Sequence, residues 1–238
     1  VGALVQARMG STRLPGKVLL PLPLSGQASV LAQVLRRARR AATLHTVVVA
    51  TSTLPADEQV ARAAAALGAP VFRGDEADVL GRFQEAAAAH DLDVIVRLTG
   101  DNPAIDPHYL DQAVRAHQAA GADYTLTTGL PLGTNLEIIG RPALERAAAE
   151  ARLPEEREHV TPYLRRHPER FRLQTLALTA PGAPATLRLT LDYPSDYAFL
   201  HLLFTSLAPD FGLAEVGRLL AAQPWLPHIN HDNHQVKV

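Results

Sequence analysis

The sequence predicts an α/β protein, a three-layer sandwich on a mostly parallel sheet. Three observations predict it. Short apolar, β-branched runs alternate with helical stretches from residue 3 to residue 127. Polar clusters follow three of those runs directly, at the carboxyl ends of parallel strands, where ligands collect in open α/β sheets. And the first run leads into a Gly- and Pro-containing loop, QARMGSTRLPGKVL, that carries Arg8, Arg13 and Lys17.

The elements follow in order. Residues 3–7 read as a buried strand. Residues 28–42 read as a helix, with Val30, Leu31, Val34, Leu35 and Ala38 on one face and arginines on the other. TVVVA at 46–50 is a strand, 56–67 a helix stopped by Gly68, 70–72 a short strand, and 76–90 a helix. DVIVRL at 93–98 is a strand, 107–120 a helix, and 124–127 a strand. Beyond residue 128 the rhythm changes. A strand is expected at 136–139, helices at 142–151 and 155–166, a pair of strands at 171–178 and 186–191 flanking APGAPA, and helices at 195–207 and 213–222. The chain is read as one domain, 1–238, with an inserted subdomain at 129–185 that serves as lid, acceptor wall or dimer contact. Residues 223–238 read as a polar, irregular tail.

Composition excludes several classes of function. With 238 residues and 47% hydrophobic content, the chain has material for a sizeable core. A net charge of −1 argues against a coat for nucleic acid. The absence of cysteine excludes disulfides, thiolate zinc sites, iron–sulfur clusters and a cysteine nucleophile. No apolar run reaches the roughly 18 residues of a membrane span. GALVQA at the start lacks the layout of a secretory signal, so a soluble, cytoplasmic protein is expected. Lysine occurs only at 17 and 237, and all other fixed positive charge is arginine. Lys17 is thus a compact ammonium kept in a background of planar guanidinium forks.

The loop is not a P-loop. Five residues separate Gly10 from Gly16, Val18 stands where a magnesium-binding hydroxyl would be, and Pro15 removes a backbone N–H. Three cations with the Ser11 and Thr12 hydroxyls nonetheless suit a triphosphate, although a solvated turn would also carry them. The second cluster is Thr51-Ser52. The third is Thr99-Gly100-Asp101-Asn102-Pro103, where Asp101 is placed for Mg²⁺ or for a turn. Asp192 reads as a second metal carboxylate or as a helix cap, whereas Asp196 and Asp106 read as helix-start residues. Asp91-Leu92-Asp93 precedes its strand, on the wrong sheet edge for a metal motif. His228, His231 and His234 fall in the tail and read as part of it rather than as ligands.

In this order, ARMGSTRLPGK, VFRGDEADVLGRF, RLTGDNPAIDP, REHVTPY and LTLDYPSD resemble the cytidylyltransferase family over nearly the whole chain. Within it they resemble the spore-coat polysaccharide biosynthesis protein F branch, related to CMP-KDO and CMP-acylneuraminate synthetases. The resemblance implies the GT-A-like nucleotidyltransferase form of the sandwich. It also implies CTP as nucleotide, Mg²⁺ as cofactor, a sugar acid or phosphorylated sugar as acceptor, and pyrophosphate release in surface polysaccharide synthesis. Carried across, Arg8, Gly10, Ser11, Thr12, Arg13 and Lys17 would surround the triphosphate, with Thr51 and Ser52 near the base. Arg73, Arg82 and Thr99 would help hold the nucleotide, and Lys17, Arg13 and Arg73 would be catalytic. Asp101 and Asp192 would bind the metal. Asn135, Glu137, Glu158 and His159 would line the acceptor side, and Tyr163 would pack. A homodimer is expected. The chain departs from the sugar-acid synthetases in one place: Thr99, preceded by Arg97, stands where they carry Gln before Gly-Asp. Two other readings are a glycosyltransferase that consumes a finished nucleotide-sugar, and a nucleotide-binding protein without turnover.

Overall fold

The computed structural model describes residues 1–234. Lys237 and the rest of 235–238 lie outside the described residues. Seven strands form one sheet: β1 (Gly2–Gln6), β2 (Thr46–Ser52), β3 (Val71–Gly74), β4 (Val94–Thr99), β5 (Tyr124–Thr128), β6 (Glu137–Gly140) and β7 (Leu173–Ala177), in the order β3-β2-β1-β4-β6-β5-β7. All neighbouring pairs are parallel except β6, which runs antiparallel to both β4 and β5. The segment 129–185 therefore supplies β6 and β7 to the common sheet.

Nine helices, α1 to α9, are formed by the described residues. On one face of the sheet lie α1 (Val30–Ala38), α2 (Glu58–Ala66) and α4 (Pro107–Ala120), packed through Leu31, Val34, Val60, Leu110 and Val114 against Val5, Val49 and Val96. On the other lie α3 (Val79–Ala89) and α5 (Arg141–Glu150), packed through Leu80, Phe83 and Leu144 against Leu4, Val48 and Ile95. Successive strand residues thus serve opposite layers, as period-2 side chains must. Helix starts follow local chemistry. Ser29 accepts from the Ala32 N–H at 3.1 Å, Asp78 from Gly81 at 2.8 Å and Asp106 from His108 at 2.9 Å. The Asp78 cap explains why α3 begins later than the expected residue 76.

Two elements differ from expectation. The stretch 155–166 is not one helix but two, α6 (Pro154–His159) and α7 (Pro162–Arg166). Pro162 has no N–H to continue the ladder. Between the helices Val160 takes φ 70°, ψ −52°, and the Thr161 N–H returns to the His159 carbonyl at 2.8 Å. That is a γ-turn of the rare, strained kind. Of the two strands expected at 171–178 and 186–191 only the first forms, as β7. β7 pairs with β5, and 186–191 makes only an isolated bridge from Arg188 to Leu132. Its alternation is real, but Leu187, Leu189 and Leu191 face a third apolar cluster, shared with α8 (Pro194–Ser206) and α9 (Leu213–Ala222), instead of a sheet. The tail is likewise more ordered than expected up to residue 234. Residues 226–229 form a 3-10 turn and Asn230 is 3% exposed.

Arg37 ties the third cluster to the core. Fully buried, it donates to the Ile105 and Phe211 carbonyls at 2.7 Å each and lies over the Phe211 ring at 4.2 Å. Burial pushes its pKa down to about 10.

Candidate active site

The carboxyl ends of β1 and β4 sit side by side, with Gln6 in register with Thr99. Gly100 donates its N–H to the Gln6 carbonyl at 2.8 Å, and a Cβ there would meet the Ala7 Cβ at 2.9 Å, so only glycine lets the two loops leave the sheet this close together. The first loop returns to this edge through Gly16, whose φ of 68° is natural for glycine and turns the chain into Lys17–Leu19. Lys17, 8% exposed, then runs its stem inward.

Its ammonium is surrounded by oxygen. Nζ lies 2.6 Å from Asp101 Oδ2, 2.8 Å from Asp192 Oδ1 and 2.7 Å from the Leu191 carbonyl. Residues 17, 101 and 192, far apart in sequence, meet at one point. Desolvation alone would lower the lysine pKa, but the two carboxylates outweigh it and hold it above the usual lysine value. Thr99 donates its hydroxyl to Asp101 Oδ1 at 2.6 Å and fixes that carboxylate from the other side. Arg13 reaches Asp192 Oδ1 at 2.8 Å and the Tyr193 hydroxyl at 3.3 Å. The Tyr193 bond leads the causes that raise the Arg13 pKa, over the opposing effect of burial and with Asp192 adding to it.

Sequence reasoning missed Arg188 and misjudged the reach of Asp196. Arg188 binds Asp192 Oδ2 at 2.8 Å and Asp196 Oδ1 at 2.8 Å. Its place within TLRLTLDYPSD, four residues before Asp192, was an available signal, but an arginine inside an apolar alternation reads as a surface position. Asp57 was missed as well. At 2% exposure it accepts from the Met9 N–H at 2.6 Å and from the Ser52 hydroxyl, and so pins the start of the first loop.

The remaining predicted residues fall into three groups around this centre. Gly10, Ser11 and Thr12 stand on the rim of the loop, Gly10 and Thr12 exposed, with the Ser11 hydroxyl accepting from the Leu14 N–H at 3.4 Å. Arg8, also on the rim, faces Glu76 at 3.6 Å and Glu158 at 3.9 Å, and His159 lies 4.0 Å from Glu158. On the β2–β3 side, Arg73 donates to the Ser52 and Leu54 carbonyls at 3.0 and 3.1 Å and pairs with Glu58. Arg82, 4% exposed, donates to the Asp75 carbonyl, while its Nε and the Thr51 hydroxyl are buried without a protein partner. On the β5–β6 side, Asn135 donates to the Leu130 carbonyl at 2.9 Å. Glu137 is held by Arg97, the Tyr124 hydroxyl and the Thr161 hydroxyl. Burial would raise its pKa, but Arg97 and these donors keep it low. Glu137 thus fixes Arg97 with both its own oxygens occupied.

The donor set around Lys17 consists of two carboxylates and one carbonyl, the hard oxygen ligands that Mg²⁺ takes. Among the described residues there is no cluster of three or more His, Cys, Asp or Glu able to cage a metal. Two carboxylates are enough for an ion whose remaining places substrate phosphates complete. The cation position between these oxygens is filled by the ammonium itself. Lys17, Arg13 and Arg188 face Asp101, Asp192 and Asp196, three positive charges against three negative.

A family model for cytidylyltransferases matches residues 2–207. The spore coat polysaccharide biosynthesis protein SpsF of Bacillus subtilis (strain 168) is 38% identical over 228 residues, 93% of this chain and 94% of the relative. Among solved structures, a cytidylyltransferase from Leptospira borgpetersenii serovar Hardjo-bovis superposes with a TM-score of 0.86 at 32% identity, covering 99% of this chain and 98% of the other. A CMP:2-keto-3-deoxy-manno-octonic acid synthetase complexed with CTP shares the fold, with a TM-score of 0.67 at 20% identity over 86% of this chain and 98% of that one.

Proposed function

Since the chain belongs to the cytidylyltransferase family and is a nucleotidyltransferase enzyme, we propose that it moves CMP from CTP to a sugar acceptor in a Mg²⁺-dependent reaction that releases pyrophosphate. The observation that carries this reading is the meeting of Lys17 with Asp101 and Asp192 at the ends of β1 and β4. The name of the Bacillus relative favours an acceptor destined for a surface polysaccharide.

In this reading an acceptor oxygen attacks the α-phosphorus in line. A new P–O bond forms, the bond to the bridging oxygen breaks, pyrophosphate carries that electron pair away, and a hydroxyl acceptor releases its proton to solvent. Lys17 and Arg13 offset the charge that develops on the phosphate oxygens. Asp101 and Asp192 would hold the metal, which when bound would neutralise phosphate charge and orient the leaving group. The exposed rim, with Arg8, Gly10, Ser11 and Thr12, receives the outer phosphates. Asp57 keeps that loop in place through Met9. Arg73, Arg82, Thr51 and Ser52 form the base side, where the two buried unpaired groups await a partner. Glu158 and His159 meet the acceptor at the rim, while Asn135 and Glu137 act through the wall they build. The segment 129–185 serves as that wall.

The test is to incubate the protein with each nucleoside triphosphate, Mg²⁺ and a panel of sugar acids and sugar phosphates, and to assay pyrophosphate. Release with CTP and one acceptor class is expected. Absence of pyrophosphate with all nucleotides and acceptors overturns the reading.

A further inference from the structure

Asp192 comes from a segment that belongs to no sheet, yet its position sets the place of Lys17, so something else must hold it. The holder is Asp196. Fully buried in the first turn of α8, it accepts three hydrogen bonds on each oxygen. Oδ2 takes the backbone N–H groups of Asp192 at 2.9 Å and Tyr193 at 3.0 Å, and Arg188 Nη2 at 3.1 Å. Oδ1 takes Arg188 Nε at 2.8 Å, the Asn233 amide at 2.8 Å and the Asn230 amide at 3.0 Å. One carboxylate therefore fixes both the backbone of Asp192 and the guanidinium that grips its side chain. Two of its six donors come from the C-terminal tail.

The tail is docked by more than these two bonds. Asn230 also donates to the Arg188 carbonyl at 3.2 Å, Asn233 exchanges hydrogen bonds with the Ser195 hydroxyl at 2.9 and 3.2 Å, and the Tyr193 hydroxyl donates to the His234 carbonyl at 3.4 Å. An amide suits this place because it adds donors without adding charge beside two carboxylates that share one arginine.

We propose that Asn230 and Asn233 are positioning residues of the active site: the tail amides complete the shell of Asp196, which sets Arg188 and Asp192 and, through them, the seat of Lys17. The consequence for turnover rests on the function proposed above; the positioning does not.

The sequence provides a direct probe. Lys17 and Lys237 are the only lysines, so a Lys237→Ala chain labelled with ¹³C at lysine Cε gives a single lysine signal, that of the buried ammonium. In this background we compare Asn233→Ala, Asn233→Asp and Asn230→Asp with the parent, without nucleotide. The Asp variants keep the shape, lose the donor and add a like charge. The Lys17 signal is expected to shift or broaden in Asn233→Asp and Asn230→Asp, and less in Asn233→Ala. CMP transfer should fall roughly ten- to hundredfold in the same order, chiefly in kcat, the scale of losing an outer partner of a metal-site ligand. Asn233 is only half-buried, so its variants remain available if Asn230→Asp does not fold. A lysine signal unchanged in folded Asn233→Asp overturns the proposal and leaves the tail a cover. If the parent releases no pyrophosphate but the lysine signal follows the tail variants, the functional reading fails and the positioning stands.

Discussion

At the scale of single residues, the ammonium of Lys17 is the group on which the chemistry turns. Replacement by alanine should cut pyrophosphate release by about 10²–10³-fold, the loss expected for one preorganised charge contact. Lys17→Arg should not restore it, since three oxygens at 2.6–2.8 Å enclose a point charge and leave no room for a planar fork. Steady-state assays of both variants check this, and near-normal rates in Lys17→Arg would count against the assignment. The two acids should separate in a stability measurement. Asp192 is 4% exposed and receives Lys17, Arg13 and Arg188, so Asp192→Ala takes a carboxylate from three cations at once, leaving Lys17 only Asp101 and Arg188 only Asp196. A loss of about 3–5 kcal/mol is expected by denaturant titration, the range for breaking a buried ion pair. Asp101, whose side chain is 24% exposed, faces only Lys17 among these cations, and Asp101→Ala should cost clearly less.

At the scale of elements, the break between α6 and α7 carries a testable sign. Val160 is fully buried in the layer of α3 and α5, yet holds a φ that favours glycine. Val160→Ala loses apolar contact and keeps the strain. Val160→Gly loses slightly more contact but relieves about 1–3 kcal/mol of it. Glycine should therefore be at least as stable as alanine here, the reverse of the usual order, as thermal unfolding of both variants would show. On α4, His117 is 3% exposed and bonded through Nδ1 to the Thr125 hydroxyl at 2.9 Å. Burial lowers its pKa in the fold, so below the ordinary histidine value of about 6.5 the unfolded chain binds the extra proton first. The stability due to neutral His117 is present above that pH and lost as the pH falls towards the lowered value. Urea midpoints of wild type and His117→Asn should converge between pH 7.5 and pH 5.5; a constant gap would refute the linkage.

At the scale of the whole molecule, three apolar clusters meet around one polar edge. The first two are the layers of the sandwich. The third, with α8 and α9, brings residues 187–192 against the ends of β1 and β4, where the Leu191 N–H donates to the Asp101 carbonyl at 2.9 Å. The ionic cluster assembled there is balanced, three charges of each sign. A divalent cation added alone would unbalance it and compete with Lys17; added with a polyphosphate it would not. Calorimetry should therefore show weak Mg²⁺ binding to the protein alone, and at least tenfold tighter binding when CTP is present, the size of an ordinary coupling between sites. Equal affinities would remove the metal from this cluster.

The sequence by itself determined the α/β class, because strand and helix periods differ and the two alternate from β1 to β5. It also determined the candidate residues of the loop and of Thr99-Gly100-Asp101, which stand where β1 and β4 end, and pointed to Asp192 in LTLDYPSD although the run before it is not a strand. Periodicity could not tell which partner an apolar face would take, so 186–191 read as a strand although it lies against α8 and α9, and 155–166 as one helix although Pro162 divides it. Only the tertiary structure decided that Lys17 sits between Asp101 and Asp192, that Arg188, Asp57 and the tail asparagines hold the parts in place, and that Glu137 is occupied by Arg97. Apart from those of Arg188, which lies only four residues before Asp192, these contacts join residues tens to nearly two hundred positions apart, and local patterns carry no record of which distant charges fold into one desolvated point.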